Sequence, residues 1–310
     1  MSTIRLATRG SDLALTQSRA MATRIESELG VTVVLVPIKT TGDRIQNVSL
    51  AKIGGKGLFV KEIEEALLDG RADIAVHSAK DLPAAVPEGL SLVAFPERAD
   101  PRDALVGREP GATLADLPAS ARVGTGSVRR AAQLRAYRPD FEIVPLRGNV
   151  ATRLRKIEEQ SLDAVVLASA GLDRLGLSDR IGERIPTDVM LPAVAQGILA
   201  IEGRSDDSIS RDVAVLACAN AEASAAAERA FLIGLAGDCN VPLAALAEPD
   251  GQGRLRLRAL LASIDGARLL THEANVSIGD ATAAGEAAAA AILAAGGEAI
   301  LAELHEEARE

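Results

Sequence analysis

Aromatic residues are almost missing from this 310-residue chain: there is no tryptophan, one tyrosine and four phenylalanines. Its cores must therefore be built from Ala, Val, Leu and Ile, which an apolar content of 48% supplies in quantity. Two cysteines exclude a disulfide framework, and they do not stand in a Cys-x-x-Cys spacing. The three histidines, His77, His272 and His305, lie far apart and in no ligand spacing, so no metal site is expected. Neither a secretory or transit pattern nor a long apolar span stands out, which leads us to expect a soluble, cytoplasmic protein that uses no membrane. The length allows two or three domains.

Basic residues are in deficit overall, with a net charge of −9, and this argues against general binding to nucleic acid. The deficit is uneven. Arg122 to Lys156 holds nine Lys/Arg against two Asp/Glu, whereas Cys218 to Glu310 holds six against fourteen. An acidic chain that concentrates arginine in one region uses it on a defined anionic ligand. The basic region also lacks the interleaved aromatics that stack on bases, Tyr137 and Phe141 being the only rings nearby.

Strands and helices alternate through the first half. Ile4–Ala7 reads as a strand, Ser11 as the cap of a helix running to Leu29, Val31–Ile38 as a strand and Phe59–Leu68 as a helix. Asp73–His77 and Leu90–Phe95 read as further strands. A second series has strands ending at Gly124 and spanning Glu142–Leu146 and Ala164–Ala168, with helices at Ser127–Arg138 and Val150–Glu159. Pro186 to Gly197 reads as a crossing segment, and Val213–Ala227 as a helix that takes up Cys218 in its core or on its face. The last part differs: strands near Val241–Ala247, Leu255–Ile264 and Leu269–Val276, then an Ala-rich helix at Ala281–Ala295. The class is α/β with mixed sheets, plus a small α+β domain. Between Thr40 and Gly57 the pattern lapses into a polar, Gly-rich stretch that reads as a lid. Its Gly55-Lys56-Gly57 is not a P-loop, because neither the upstream glycine nor the following Ser/Thr is present.

Three segments share one design, a strand end running through glycine into a helix start with arginine beside it: Thr8-Arg9-Gly10-Ser11, Gly124-Thr125-Gly126-Ser127-Val128-Arg129-Arg130, and Leu146-Arg147-Gly148-Asn149-Val150 followed by Arg153. Free N–H groups and the helix dipole favour anions at such starts, and arginine adds bidentate hydrogen bonds to carboxylate or phosphate. A ligand with several negative groups is expected. Asp81, in His77-Ser78-Ala79-Lys80-Asp81-Leu82-Pro83, falls at a strand's carboxyl end, where open α/β sheets bind ligands. It is either a structural cap or salt-bridge partner of Lys80 or Arg9, or a carboxylate that stabilises a cation and moves a proton. His77 reads as a packed, hydrogen-bonded strand residue. Cys239 stands in the polar turn Gly237-Asp238-Cys239-Asn240-Val241-Pro242, where a thiol is reachable, unlike one buried for packing.

Together these segments resemble the hydroxymethylbilane synthases, also called porphobilinogen deaminases. The resemblance rests on Ala7-Thr8-Arg9-Gly10-Ser11, Ala51-Lys52-Ile53-Gly54-Gly55-Lys56-Gly57-Leu58-Phe59, His77-Ser78 with Lys80-Asp81, the Gly124 and Leu146 segments, Ala170-Gly171-Leu172-Asp173-Arg174-Leu175-Gly176, and Glu228-Arg229-Ala230-Phe231-Leu232. It implies two domains like type II periplasmic binding proteins around a cleft, residues 1–98 with 193–216 and 99–192, and a third domain, 217–310. It implies head-to-tail condensation of four porphobilinogen molecules with loss of ammonia, on a dipyrromethane cofactor held by a thioether to Cys239. Asp81 matches the catalytic aspartate. Lys80, Ser127, Arg129 and Arg130, with Asp81, match cofactor contacts. Arg9, Ser11, Arg147, Arg153 and Arg174 match carboxylate-binding positions, and Lys52 and Lys56 belong to the lid. A monomer acting on a small molecule is implied.

Three departures from the family pattern stand out. Gly-Asp-Cys-Asn replaces Gly-Gly-Cys-Gln at 237–240, placing an acid beside the thiol, which raises its pKa by like-charge repulsion. Ala195 replaces a glycine in Pro192-Ala193-Val194-Ala195-Gln196-Gly197, and its β-carbon strains any backbone that needs a positive φ. Ala79 replaces a frequent methionine. The competing reading is a non-catalytic solute-binding protein of the same two-domain architecture, which has no need of Cys239.

Overall fold

A computed structural model describes residues 2–41, 60–237 and 240–307. The chain divides into two compact units, Met1–Ala99 with Ile198–Glu222, and Asp100–Gly197 with Ala223–Glu310.

The first unit is a five-stranded mixed sheet. Strand β1 (Thr3–Arg9), helix α1 (Asp12–Leu29), β2 (Thr32–Ile38), α2 (Lys61–Leu68), β3 (Ile74–Ser78) and β4 (Leu90–Ala94) follow in order, and β10 (Leu199–Arg204) returns after the second series. The order is β2-β1-β3-β10-β4, parallel across the first three and antiparallel on both sides of β10. Both faces are covered. Ile4, Leu6, Ile74, Val76 and Ile201 pack against Met21 and Ile25 of α1, while Ala7 and Ala75 pack against Ile63 and Leu67 of α2. A strand covered on both faces reads as a continuous apolar run, and β3 does so from Ile74 to Val76.

The second unit repeats this topology. Strands β5 (Asp103–Gly107), β6 (Arg122–Thr125), β7 (Glu142–Pro145), β8 (Ala164–Ala168) and β9 (Glu183–Arg184) form the sheet β7-β6-β8-β5-β9. Helices α3 (Val128–Tyr137), α4 (Val150–Glu159) and α5 (Ser169–Arg174) follow β6, β7 and β8. In both sheets three parallel strands are followed by an antiparallel strand, β10 from a distant part of the chain in the first and β5 from just ahead of the series in the second, and a further strand pairs only with that one. This is the expected α/β class with mixed sheets. The small antiparallel sheet β11 (Leu243–Pro249), β12 (Arg254–Ala262), β13 (Leu269–Ser277) also belongs to the second unit. Ala244, Leu246, Leu260 and Ala262 of that sheet pack with Ala132 of α3 and Leu191.

The pattern hid β5 and β10. They are fully partnered central strands whose neighbours come from elsewhere in the sequence. Between them and the small sheet lie α6 (Ser208–Val213) and α7 (Ala219–Gly234). The expected helix over Val213–Ala227 is broken: a 3₁₀ turn ends at Leu216, and half-buried Cys218 stands just ahead of α7, with its N–H donating to Phe95 O (2.9 Å). Segment 278–304 is long and apolar enough to cross a membrane by composition alone. It holds α8 (Ala281–Ile292), a π-turn and the first part of α9 (Glu298–Glu307), and α8 lies on β12 and β13.

Helix α7 ends in a Schellman motif: Gly237 N–H donates to Leu232 O (3.0 Å) and Ala236 N–H to Ile233 O (2.9 Å). The left-handed residue, normally glycine, is Ala236 at φ 47°. An L-residue there costs about 1–2 kcal/mol, partly offset by glycine's larger unfolded-state entropy. Ala236→Gly is thus expected to stabilise the protein by about 0.5–1 kcal/mol, read as a raised urea midpoint at unchanged slope.

Candidate active site

In the first unit, the carboxyl ends of the adjacent parallel strands β1 and β3 carry the motifs singled out above. Arg9 closes β1 and is half-buried, and Ser11 caps α1 by accepting from Ala14 N–H (3.4 Å). Strand β3 runs into a single 3₁₀ turn, Ala79–Asp81. Ala79 N–H donates to Ile198 O (3.0 Å), and the Ser78 hydroxyl is bonded to the Gln17 amide, so the turn is tied to α1 and to the approach to β10. Lys80 and Asp81 both face solvent. Among the described residues the Asp81 carboxylate makes no hydrogen bond and no ion pair, so the alternative of a structural cap or a salt bridge to Arg9 or Lys80 finds no support there. His77 is buried and bonded through Nε2 to Glu202 (2.9 Å), as a packed strand residue should be.

In the second unit, the carboxyl ends of β6, β7 and β8 launch α3, α4 and α5. Ser127 caps α3, accepting from Arg130 N–H, and Asn149 caps α4, accepting from Thr152 N–H (2.9 Å). The close approach of β6 and β7 dictates glycine at 126, where a β-carbon would stand 2.3 Å from Leu146 O. Arg147 is exposed beside the α4 start, and half-buried Arg153 donates to Gly148 O (2.7 Å).

Arg129 and Arg130 are not surface arginines. Both are buried and share one carboxylate: Arg129 Nη1 lies 2.8 Å and Arg130 Nη2 2.7 Å from Asp103, which has no exposure at all. Gln196 Nε2 donates to the same Asp103 (3.0 Å), and the guanidiniums also donate to Leu191 O and Val166 O. Burial alone would push the Asp103 carboxyl up, but the two guanidinium charges outweigh it and hold it far below the usual range. Burial pulls Arg129 below its ordinary value, offset in part by Asp103. Arg129 Nε is buried with no hydrogen-bond partner among the described residues.

Arg174, at the end of α5, is a further desolvated cation. Burial lowers it, with Asp173 offsetting part. Its hydrogen bond goes to Gly197 O (2.7 Å), while Asp173 is taken by Arg184 (2.7 Å). A half-buried guanidinium held by a carbonyl and lacking a carboxylate partner is set up to receive an anion. Cys239, Lys52 and Lys56 lie outside the described residues.

The family model named porphobilinogen deaminase, dipyromethane cofactor binding domain, matches residues 4–212, and that of the porphobilinogen deaminase C-terminal domain matches residues 223–294. The chain belongs to the porphobilinogen deaminase family. It is 48% identical over 305 residues to the porphobilinogen deaminase of Syntrophomonas wolfei, covering 98% of this chain and 99% of that one. It is 54% identical over 274 residues to that of Sorangium cellulosum, covering 88% and 91%. Among solved structures, a putative methionine-binding lipoprotein from Bacillus subtilis is similar at 13% identity and a TM-score of 0.42, over 69% of this chain and 90% of that one. That likeness is too remote to add to the strand orders above.

Sequence reasoning missed Asp103, Gln196 and Glu228. Glu228 had a signal, a carboxylate on the face of α7 that also carries Ser224 and Phe231, all three buried. Gln196 stands in the family-pattern segment Pro192–Gly197 but with no sign of its partner, and Asp103 had no signal, since its partners are distant in sequence.

Removing the Asp103 charge should separate scaffold from chemistry. Asp103→Asn leaves two buried guanidiniums unneutralised and is expected to lose about 3–5 kcal/mol in chemical denaturation. Asp81→Asn, at an exposed and unpartnered position, should stay within about 0.5 kcal/mol. Because folding depresses the Asp103 pKa, the gap between wild type and Asp103→Asn should be constant from neutral pH to about pH 5 and narrow below it.

Proposed function

We propose that this chain is a hydroxymethylbilane synthase, a transferase of tetrapyrrole biosynthesis. It condenses four porphobilinogen molecules head to tail on a covalent dipyrromethane primer, releases ammonia at each step and finally hydroxymethylbilane. The observation that carries the reading is the family match across both matched segments, 4–212 and 223–294.

The residues present fit the cofactor. A dipyrromethane bears several carboxylates, and the second unit holds a buried Arg129 Nε without a partner and a desolvated Arg174 without a carboxylate. Cys239 would hold it by a thioether, and Lys80, Ser127, Arg129 and Arg130 would fix its side chains. When bound, the dipyrromethane supplies the terminal pyrrole carbon on which the chain is extended.

Asp81 acts on the incoming porphobilinogen. An ionised carboxylate with no other partner accepts the pyrrole N–H, stabilises the cation left when ammonia departs, and takes up a proton after coupling. Arg9, Ser11, Arg147, Arg153 and Arg174 bind the acetate and propionate groups of substrate and growing chain. Each added unit brings two carboxylates, which is why an acidic protein keeps a cluster of arginines. Lys52 and Lys56 belong to the lid of this reading. The enzyme acts in the cytoplasm as a monomer, with no nucleic acid and no membrane; the negative net charge supports the last two.

The mass of the purified protein tests the reading first. The peptide containing Cys239 should carry two linked pyrrole units, and Cys239→Ser should not; an unmodified Cys239 that stays unmodified after incubation with porphobilinogen would sink it. Asp81→Ala should fold and lose turnover by about a hundredfold or more in a porphobilinogen consumption assay. Near wild-type turnover would remove Asp81 from the chemistry.

A further inference from the structure

Three consecutive residues, Ala195, Gln196 and Gly197, each meet a different part of the second unit. Gly197 O accepts from Arg174 Nη2 (2.7 Å). Gln196 Nε2 donates to Asp103 (3.0 Å), the carboxylate shared by Arg129 and Arg130, and to Pro101 O (2.7 Å). Ala195 N–H donates to Glu228 Oε2 (2.5 Å). Glu228 is buried midway along α7, and its other oxygen accepts from Ala247 N–H of β11 (2.7 Å). One turn earlier on α7, the Ser224 hydroxyl donates to Ala247 O (2.9 Å), so α7 saturates both backbone groups of that residue.

Ala195 is also the strained member of the group. It stands at the third position of a turn closed by Gln196 N–H to Ala193 O (2.9 Å), fully buried, at φ 56°. Glycine is the usual residue there, because a β-carbon disfavours the left-handed region. The expected strain is thus present, and the Glu228 carboxylate grips the N–H of the residue that bears it. Without that grip, Ala195 gains by relaxing toward the right-handed region. The two residues after it would turn with it, carrying the carbonyl that holds Arg174 and the amide that holds Asp103.

We propose that Glu228 is a positioning residue for substrate carboxylate binding: by holding Ala195 left-handed it fixes Arg174 and the Arg129–Asp103–Arg130 cluster relative to α7, the helix that leads to Cys239. This rests on the functional reading above. Glu228 touches neither substrate nor cofactor, and the inference concerns only what it holds.

The test uses cofactor-loaded full-length protein with Glu228→Gln, Ala195→Gly and the double variant. The amide of Gln can satisfy one of the two N–H groups and presents an NH₂ to the other. Glu228→Gln should raise KM for porphobilinogen about tenfold, with kcat changed less than about twofold. Ala195→Gly alone should leave KM unchanged. In the double variant glycine adopts the left-handed conformation without help, so KM should return to within about threefold of wild type. A scaffold role would lower the melting temperature without moving KM, and would show no rescue by glycine; either result overturns the inference. If Glu228→Gln does not fold, Glu228→Asp withdraws the carboxylate by one methylene and should give the same rise and the same rescue. A wild-type chain that consumes no porphobilinogen overturns the functional reading and this inference with it. Normal wild-type turnover with KM unmoved by Glu228→Gln overturns this inference alone.

Discussion

One carboxylate facing two guanidiniums organises the second unit. Asp103 begins a central strand, is wholly buried, and is held by Arg129 and Arg130 from the first turn of α3 and by Gln196 from the crossing segment. Removing a charge from water is expensive, and the attraction in the interior offsets it only when geometry and hydrogen bonding are good. Here they are good for Asp103, but the count of charges does not close: two cations meet one anion. The excess positive charge, together with that of Arg174, lies at the carboxyl ends of parallel strands. On the function proposed above, an anionic ligand would complete the neutralisation that these residues leave undone.

The first unit solves a different problem with the same topology. Its strand ends carry a carboxylate, Asp81, that no described cation neutralises, on a turn fixed by backbone and hydroxyl bonds rather than by ion pairs. Anchoring the turn by Ser78 and Ala79 leaves the acid available for chemistry. In the second unit Arg129 and Arg130 are instead pinned by a buried partner, Asp103. On the proposed function, a solvated carboxylate suits transient positive charge, and cations held in dry surroundings suit the recognition of carboxylates.

What was legible in the sequence follows from range. The caps Ser11, Ser127 and Asn149, the strand–glycine–helix turns and the alternation of apolar runs are local, and each stands within a few residues of its predicted place. The placement of Arg9, Asp81, Ser127 and Arg147 at strand ends follows from the same local patterns, whereas Arg174, at the end of α5, was carried by the family resemblance alone. What stayed hidden is what sequence-distant neighbours decide. The buried partner of Arg129 lies 26 residues upstream, so the ion pairs that hold Arg129 and Arg130 left no local trace, and β5 and β10 depend on neighbours from elsewhere in the chain. The break before α7 was missed because Ala217-Cys218-Ala219 carries no glycine or proline to mark it.

The strand orders also set a schedule for synthesis. Strand β4 pairs only with β10, and β10 completes the first sheet from a point more than a hundred residues later in the chain. On the ribosome, therefore, β4 has no partner until residue 204 has emerged, an interval on the order of ten seconds at ordinary elongation rates. Every strand of the second sheet, Asp103 to Arg184, leaves the tunnel within that interval. The strands made first thus wait for one made much later, and until then the edge of β4 is open to the mispairing that exposed strand edges invite.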